Sequence, residues 1–428
     1  MRLPGAKSVA RVALALTVLS AVQPAGGQEP AAPRILASTG FRQAAAFIRK
    51  DYDRFVRELI TLTEIPAPPF KEGRRAKAFL ELLRSAGLQD VEMDPEGNVL
   101  GLRKGRGGGG MLVVAAHLDT VFPEGTDVRV KRRGTRLAAP GIGDDTRGLA
   151  LVLAVVRAMN AGQFETSDDI LFVGDVGEEG VGDLRGVRYL LQKGKYKDRI
   201  SQFIAIDGGD QGAVTRAAVG SRRYRVTFEG PGGHSYGAFG LVNPAYAMAS
   251  AIAALSALQV PARPKTTYNI GVVAGGTSVN AIPSSVSMDV DIRSESCAEL
   301  KKLDSAFVGI VQRAVDKENA ARSTQAGRIA VDPRVIGERP CGETPMDAPI
   351  LRTTAGVIGA FGLPVSYNAG STDSNIPMSM GIPALTIGRG GEGGRSHSLD
   401  EWTDVAPAGV RRSVEVALAV ILALAGVP

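Results

Sequence analysis

Histidine and cysteine are scarce in this chain: 428 residues contain three of the first and two of the second. Long apolar runs are missing too. The two best candidates, 12–22 and 416–428, are both too short to cross a bilayer, and the C-terminal one reads as a buried helix. Basic residues are scattered, with no stripe of the kind that tracks nucleic acid, so a nucleic-acid partner is excluded. The glycine-rich GRGGGG at 105–110 lacks the Lys-Ser/Thr of a phosphate-binding loop and reads as a joint between two strands. Cys297 and Cys341 read as free, partly buried thiols, although an oxidising compartment would let them pair.

Such a compartment is where the N-terminus points. Residues 1–27 place Arg2, Lys7 and Arg11 before the apolar stretch 12–22, then small residues at 25–27. That order is the layout of a secretory signal peptide, and no lipid-anchor cysteine follows it. The expectation is a secreted or periplasmic protein with no membrane contact after cleavage. Its removal takes three positive charges from the net +6, so the basic balance says little about partners. Apolar residues at 44% and charged residues at 22% are ordinary for a globular chain of this length, which has room for more than one domain.

Short apolar strands each run into polar residues. MLVVAA (111–116) leads to His117-Leu118-Asp119, ILFVGD (170–175) to Gly177-Glu178-Glu179-Gly180, and FIAI (203–206) to Asp207-Gly208-Gly209. Strands apolar on both faces belong to a parallel sheet covered by helices on both sides. The helix predicted over 146–162 is one such cover. Polar residues just past the carboxyl ends of these strands lie where open α/β sheets bind ligands. From 213 to 338 the texture changes to alternating strands, such as SRRYRVTFEG and SSVSMDVDIRS, around a helix at 243–258. The expected architecture is a catalytic α/β domain in two parts, 28–212 and 339–428, interrupted by an α+β insert.

The three histidines, His117, His234 and His397, all sit beside Gly, Ser or Asp-Thr near strand ends. With Asp144, Glu179 and Asp207, two of these histidines place two imidazoles and three carboxylates at one sheet edge. Mixed nitrogen and oxygen donors suit Zn²⁺, with Co²⁺ or Mn²⁺ possible, and five donors fit two ions sharing one carboxylate.

The segments HLDTV (117–121), GIGDDTRG (141–148), GEEG (177–180), IDGG (206–209), GGHS (232–235) and SHSLDE (396–401) occur in an order that resembles the M20 metallopeptidases, most closely their peptidase T group. The resemblance implies that His117 and Asp207 hold one metal, Glu179 and His397 the other, and Asp144 bridges them. Asp119 would orient His117 through its far ring nitrogen. Glu178 would be the general base, taking a proton from the attacking water and returning it to the leaving amine. His234, in an insert that matches a lid or dimerisation domain, would donate to the oxyanion from a partner subunit, so a homodimer is implied. Asn280 and Arg293 match positions that meet polar groups of a short peptide substrate, and AGSTDSN (369–375) is a second substrate-side candidate. The family's usual lysine after the bridging Asp is replaced by Thr146 and Arg147. An aspartate at position 207 goes with aminopeptidase-type members, whereas a glutamate goes with carboxypeptidases and N-acyl-amino-acid deacylases.

Two other readings use the same residues. GHSYG (233–237) fits a serine-hydrolase elbow, with Asp373 and His397 following in order. An elbow needs a buried strand before Ser235 and a helix straight after it, and the sequence offers neither. A catalytically dead, binding-only relative would lack the base or a ligand, and none is missing.

Overall fold

The strand Met111–His117 is buried along its whole length. Leu112, Val114 and Ala116 enter one core while Met111, Val113 and Ala115 enter another. That alternation is the signature of a sheet with helices on both sides. The computed structural model describes residues 31–107 and 109–427. The expected signal peptide lies outside the described residues, and no described helix is long and apolar enough to cross a membrane.

The central sheet is mixed. Asp169–Asp175, Met111–His117, Ile200–Ile206 and Ala384–Ile387 run parallel at its centre, and antiparallel strands extend it on both flanks. One face carries Thr39–Thr63, Thr146–Ala161 and the C-terminal helix Pro407–Ala425, whose apolar run is buried as expected. Leu184, Val187, Leu190 and Leu191, at and within the helix Arg185–Gln192, pack on the other face.

The insert is a four-stranded antiparallel sheet in the order Thr266–Gly275, Ser285–Ser294, Gly220–Glu229, Ala330–Arg339. Helices Pro244–Ser256 and Cys297–Ala321 cover one of its faces and close a separate core. Asn243 caps the first of these by accepting from the amide of Ala245 at 3.0 Å. The antiparallel layer begins at Gly220, later than the 213 expected from texture, because Ala213–Ala218 still pairs within the large sheet.

The cysteines depart from the free-thiol reading. Cys297 and Cys341 form a disulfide, with Cα atoms 5.6 Å apart. It ties the start of the long insert helix to the chain returning to the central sheet.

Candidate metal centre

Four loops at the carboxyl ends of the central strands meet around Asp144. Its Oδ1 lies 3.2 Å from Nε2 of His117, and its Oδ2 lies 3.2 Å from Nε2 of His397. Glu179 completes a group with His117 and Asp144 whose ligand atoms all lie within 4.8 Å of one another. Its Oε1 is 2.8 Å from His397 Nε2. Asp207 stands on the other side, within the same 4.8 Å limit of Asp144 and Asp145. Each oxygen of Asp144 thus faces a different imidazole, as a carboxylate shared by two cations requires. His397 takes a left-handed backbone, φ 64°, a conformation uncommon for a side chain with a Cβ.

Electrostatics supply the test of whether metal ions fit. Asp144, Asp145, Glu178 and Glu179 crowd a volume that water scarcely enters, with Asp207 at its edge. Burial pushes the carboxyls of Asp145 and Glu178 well up. Burial would also raise Asp144, but hydrogen bonds from His117 and His397 hold it well below the usual range. Hydrogen bonds to Asp144 and Glu179 push His397 up to about 10. The imidazoles are thus drawn toward the cationic form by a surplus of negative charge. Divalent cations on the same donors satisfy that surplus, and the residues fit them.

Asp119 does more than steer an imidazole. The closest contact to Nδ1 of His117 is its backbone carbonyl, at 3.1 Å, while its carboxylate stands at 3.7 Å. That carboxylate accepts the amides of Glu178 and Glu179, at 3.0 and 2.8 Å. One side chain therefore positions the two adjacent glutamates. Glu178 turns away from the ligand group to Arg339, whose Nη1 lies 3.0 Å from Oε1. Burial raises the Glu178 carboxyl and the Arg339 guanidinium opposes that rise.

Several residues here were not singled out from sequence. Glu401, buried, accepts the amides of Gly141, Gly143 and Asp144 at 3.1, 2.8 and 2.7 Å and so fixes the loop that carries Asp144. Its only sequence signal was membership of SHSLDE. Asp145 accepts the amide of His117 at 3.3 Å, and Gly148 leaves it room, since a Cβ there would sit 2.4 Å from its carboxylate oxygens. Nη1 of Arg389 is 2.8 Å from Asp207, 3.2 Å from Asp145 and 3.4 Å from Asp144. Thr146, at the lysine's place, donates to the carbonyl of Gly141 at 2.7 Å, and Arg147 binds Thr403 and the carbonyl of Asp404.

The remaining residues named from sequence fall into two groups. Arg293 and Ser371 line a cavity of about 400 Å³ together with Glu178, Glu179, Asp144, Asp207 and His397. His234 and Asn280 do not line it. They lie exposed and side by side on the insert, where Gly233–His234 pairs with Ala281–Ile282 and the amide of Ser235 donates to the carbonyl of Asn280. The elbow reading has no support in the geometry: Ser235 follows a two-residue strand, the next helix starts at Pro244, and His397 is engaged with Asp144 and Glu179. Asp373 is buried, and its Oδ1 has no hydrogen-bond partner among the described residues.

The model of peptidase family M20/M25/M40 matches residues 113–423. A succinyl-diaminopimelate desuccinylase of Corynebacterium glutamicum is 26% identical over 354 residues, covering 80% of this chain and 90% of that protein. Aminopeptidase PepT of Bacillus cereus superposes with a TM-score of 0.70 at 20% identity, covering 88% of this chain and 99% of the other. The YxeP protein of Bacillus subtilis, described as a dinuclear metal-binding peptidase, superposes with a TM-score of 0.64 at 17% identity over 88% of this chain and 99% of its own. These two likenesses speak to the fold, and the family match covers most of the chain. The chain belongs to peptidase family M20/M25/M40 and is a metallopeptidase.

Proposed function

We propose that this protein is an exported aminopeptidase-type di- or tripeptidase that hydrolyses short peptides at a two-metal centre. The observation that carries the reading is Asp144, with one oxygen toward His117 and the other toward His397. His117 and Asp207 would hold one ion and Glu179 and His397 the other, with Asp144 between them. Two Zn²⁺ ions, or Co²⁺ or Mn²⁺, would polarise the scissile carbonyl and acidify the attacking water. Glu178, held by Arg339 beside the cavity, takes the water proton as the C–O bond forms. It then delivers that proton to the amine as the C–N bond breaks. The disulfide agrees with an oxidising compartment and thus with export. A carboxypeptidase or N-acyl-amino-acid deacylase on the same fold is the second reading, favoured by the desuccinylase relative.

The preference for a free amino terminus is tested with matched di- and tripeptides, free or acetylated at the amino end. The free forms should be cleaved and the acetylated ones spared; the reverse pattern would move the protein to the deacylases.

The assembly proposal is a homodimer through the insert. His234 and Asn280 stand away from their own chain's cavity, and Tyr236, Phe239 and Val279 beside them are 87%, 85% and 101% exposed. In this reading His234 completes the partner's site by donating to the oxyanion. Glu178→Ala and His234→Ala proteins, each inactive alone, should on co-expression recover roughly a quarter of full activity, because mixed dimers keep one complete site. No recovery from a preparation shown by mass to contain mixed dimers would rule the arrangement out.

A further inference from the structure

Facing the ligand group across the cavity of about 400 Å³ are three arginines, Arg223, Arg293 and Arg339. They come from three strands of the insert sheet, and the register explains their meeting. Arg223 lies opposite Asp291, while Ser221 lies opposite both Arg293 and Arg339. With a period of two, all three point from one face of the sheet, the face away from the insert's core. Their acidic partners are too few. Asp291 serves two of them, 2.6 Å from Nε of Arg293 and 3.4 Å from Nε of Arg223. Further along the same face, Arg225 has Asp289 to itself through two bonds of 2.8 Å. Arg339 is committed to Glu178. Burial, then the like charges of Arg339 and Arg293, hold the Arg223 guanidinium below its usual pKa. Such crowding of cations is costly unless a ligand brings the missing negative charge.

Position identifies which part of the substrate does so. Glu178 must reach the leaving nitrogen to return its proton, and Arg339 touches Glu178. The residue attached to that nitrogen therefore lies against the arginine wall. We infer that the protein selects peptides whose leaving residue carries two carboxylates, a C-terminal glutamate or aspartate, with Arg293 facing the α-carboxylate and Arg223 the side chain. The inference rests on the peptidase reading above. Guanidinium forks match carboxylates through paired hydrogen bonds, and an uncharged isostere leaves those donors unpaired.

The test compares Ala-Glu with Ala-Gln and Ala-Asp with Ala-Asn, pairs equal in length and shape but different by one charge, using metal-loaded protein. kcat/KM should favour the acidic member by about ten- to a hundredfold, the effect of one charge-assisted hydrogen bond pair. Arg223→Gln should bring that ratio close to one, chiefly through KM of the acidic peptide, and Arg223→Lys should keep part of it. Arg293→Gln, at a more exposed position, should weaken both members and preserve their ratio. Metal content and melting temperature establish that each variant is loaded and folded. Equal rates within a pair, or a ratio unmoved by Arg223→Gln, would overturn the anionic subsite while leaving the peptidase reading intact. Cleavage of none of the four by protein shown to hold its metals would overturn both.

Discussion

Asp175 and Asp373 form a buried pair of carboxyls one layer behind the ligand group. Among the described residues neither Asp175 oxygen nor Oδ1 of Asp373 has a hydrogen-bond partner, and each carboxyl bears on the other's protonation. Two like groups so placed share a proton, because a low-dielectric pocket does not tolerate both charges. Burial raises Asp175 to about 7 and Asp373 well above its ordinary range. The folded chain thus keeps a proton that the unfolded chain releases near pH 4. Stability from this pair is full below that point and falls as pH rises toward 7. Asp373→Asn replaces one acid by an amide that can donate to Asp175. The variant should match the parent near pH 4 and exceed it by about 1–3 kcal/mol at pH 8, the cost of one unsatisfied buried group. Thermal melts from pH 4 to 8 at fixed metal loading check this; parallel curves for the two proteins would contradict it.

Among the elements, the return strand Ala330–Arg339 carries more than its sequence announces. It closes the insert sheet, ends in the arginine that holds Glu178, and is followed two residues later by Cys341. The disulfide to Cys297 closes a separation of 44 residues, which in the loop-entropy account is worth about 2–4 kcal/mol. Cys297→Ser with Cys341→Ser should lose that much stability. It should also lower turnover, since Arg339 would be less firmly placed against Glu178. A double variant as stable and as active as the parent would remove the strand from this account. The sequence showed where the central strands end, because doubly apolar runs such as 111–116 stop abruptly at polar residues. It could not show Arg339, Arg389 or Glu401, whose partners lie far away in the chain and whose neighbours carry no periodic pattern. Nor could it show the disulfide, since spacing along the chain does not report a distance of 5.6 Å between Cα atoms. Arg293 could be singled out only by resemblance; its neighbours Arg223 and Arg339 needed the register of three strands.

For the whole molecule, the proposed division of labour is between a central sheet whose strand ends gather the candidate metal donors and an insert whose arginines line the cavity beside them. The sheet alone places His117, Glu178, Glu179 and Asp207 at the ends of three parallel strands, and two loops bring Asp144 and His397 to them. This reading requires Glu179 to be a ligand and Glu178 to be the base, although the two are adjacent and equally acidic. The measurement that separates them is the number of metal ions per chain in Glu178→Gln, taken beside its peptide turnover and that of the parent. The account predicts two ions per chain in both proteins, and turnover reduced by roughly 10²–10⁴ in the variant, the usual effect of losing a general base. Loss of an ion from Glu178→Gln, or undiminished turnover by parent protein stripped of its ions, would contradict it.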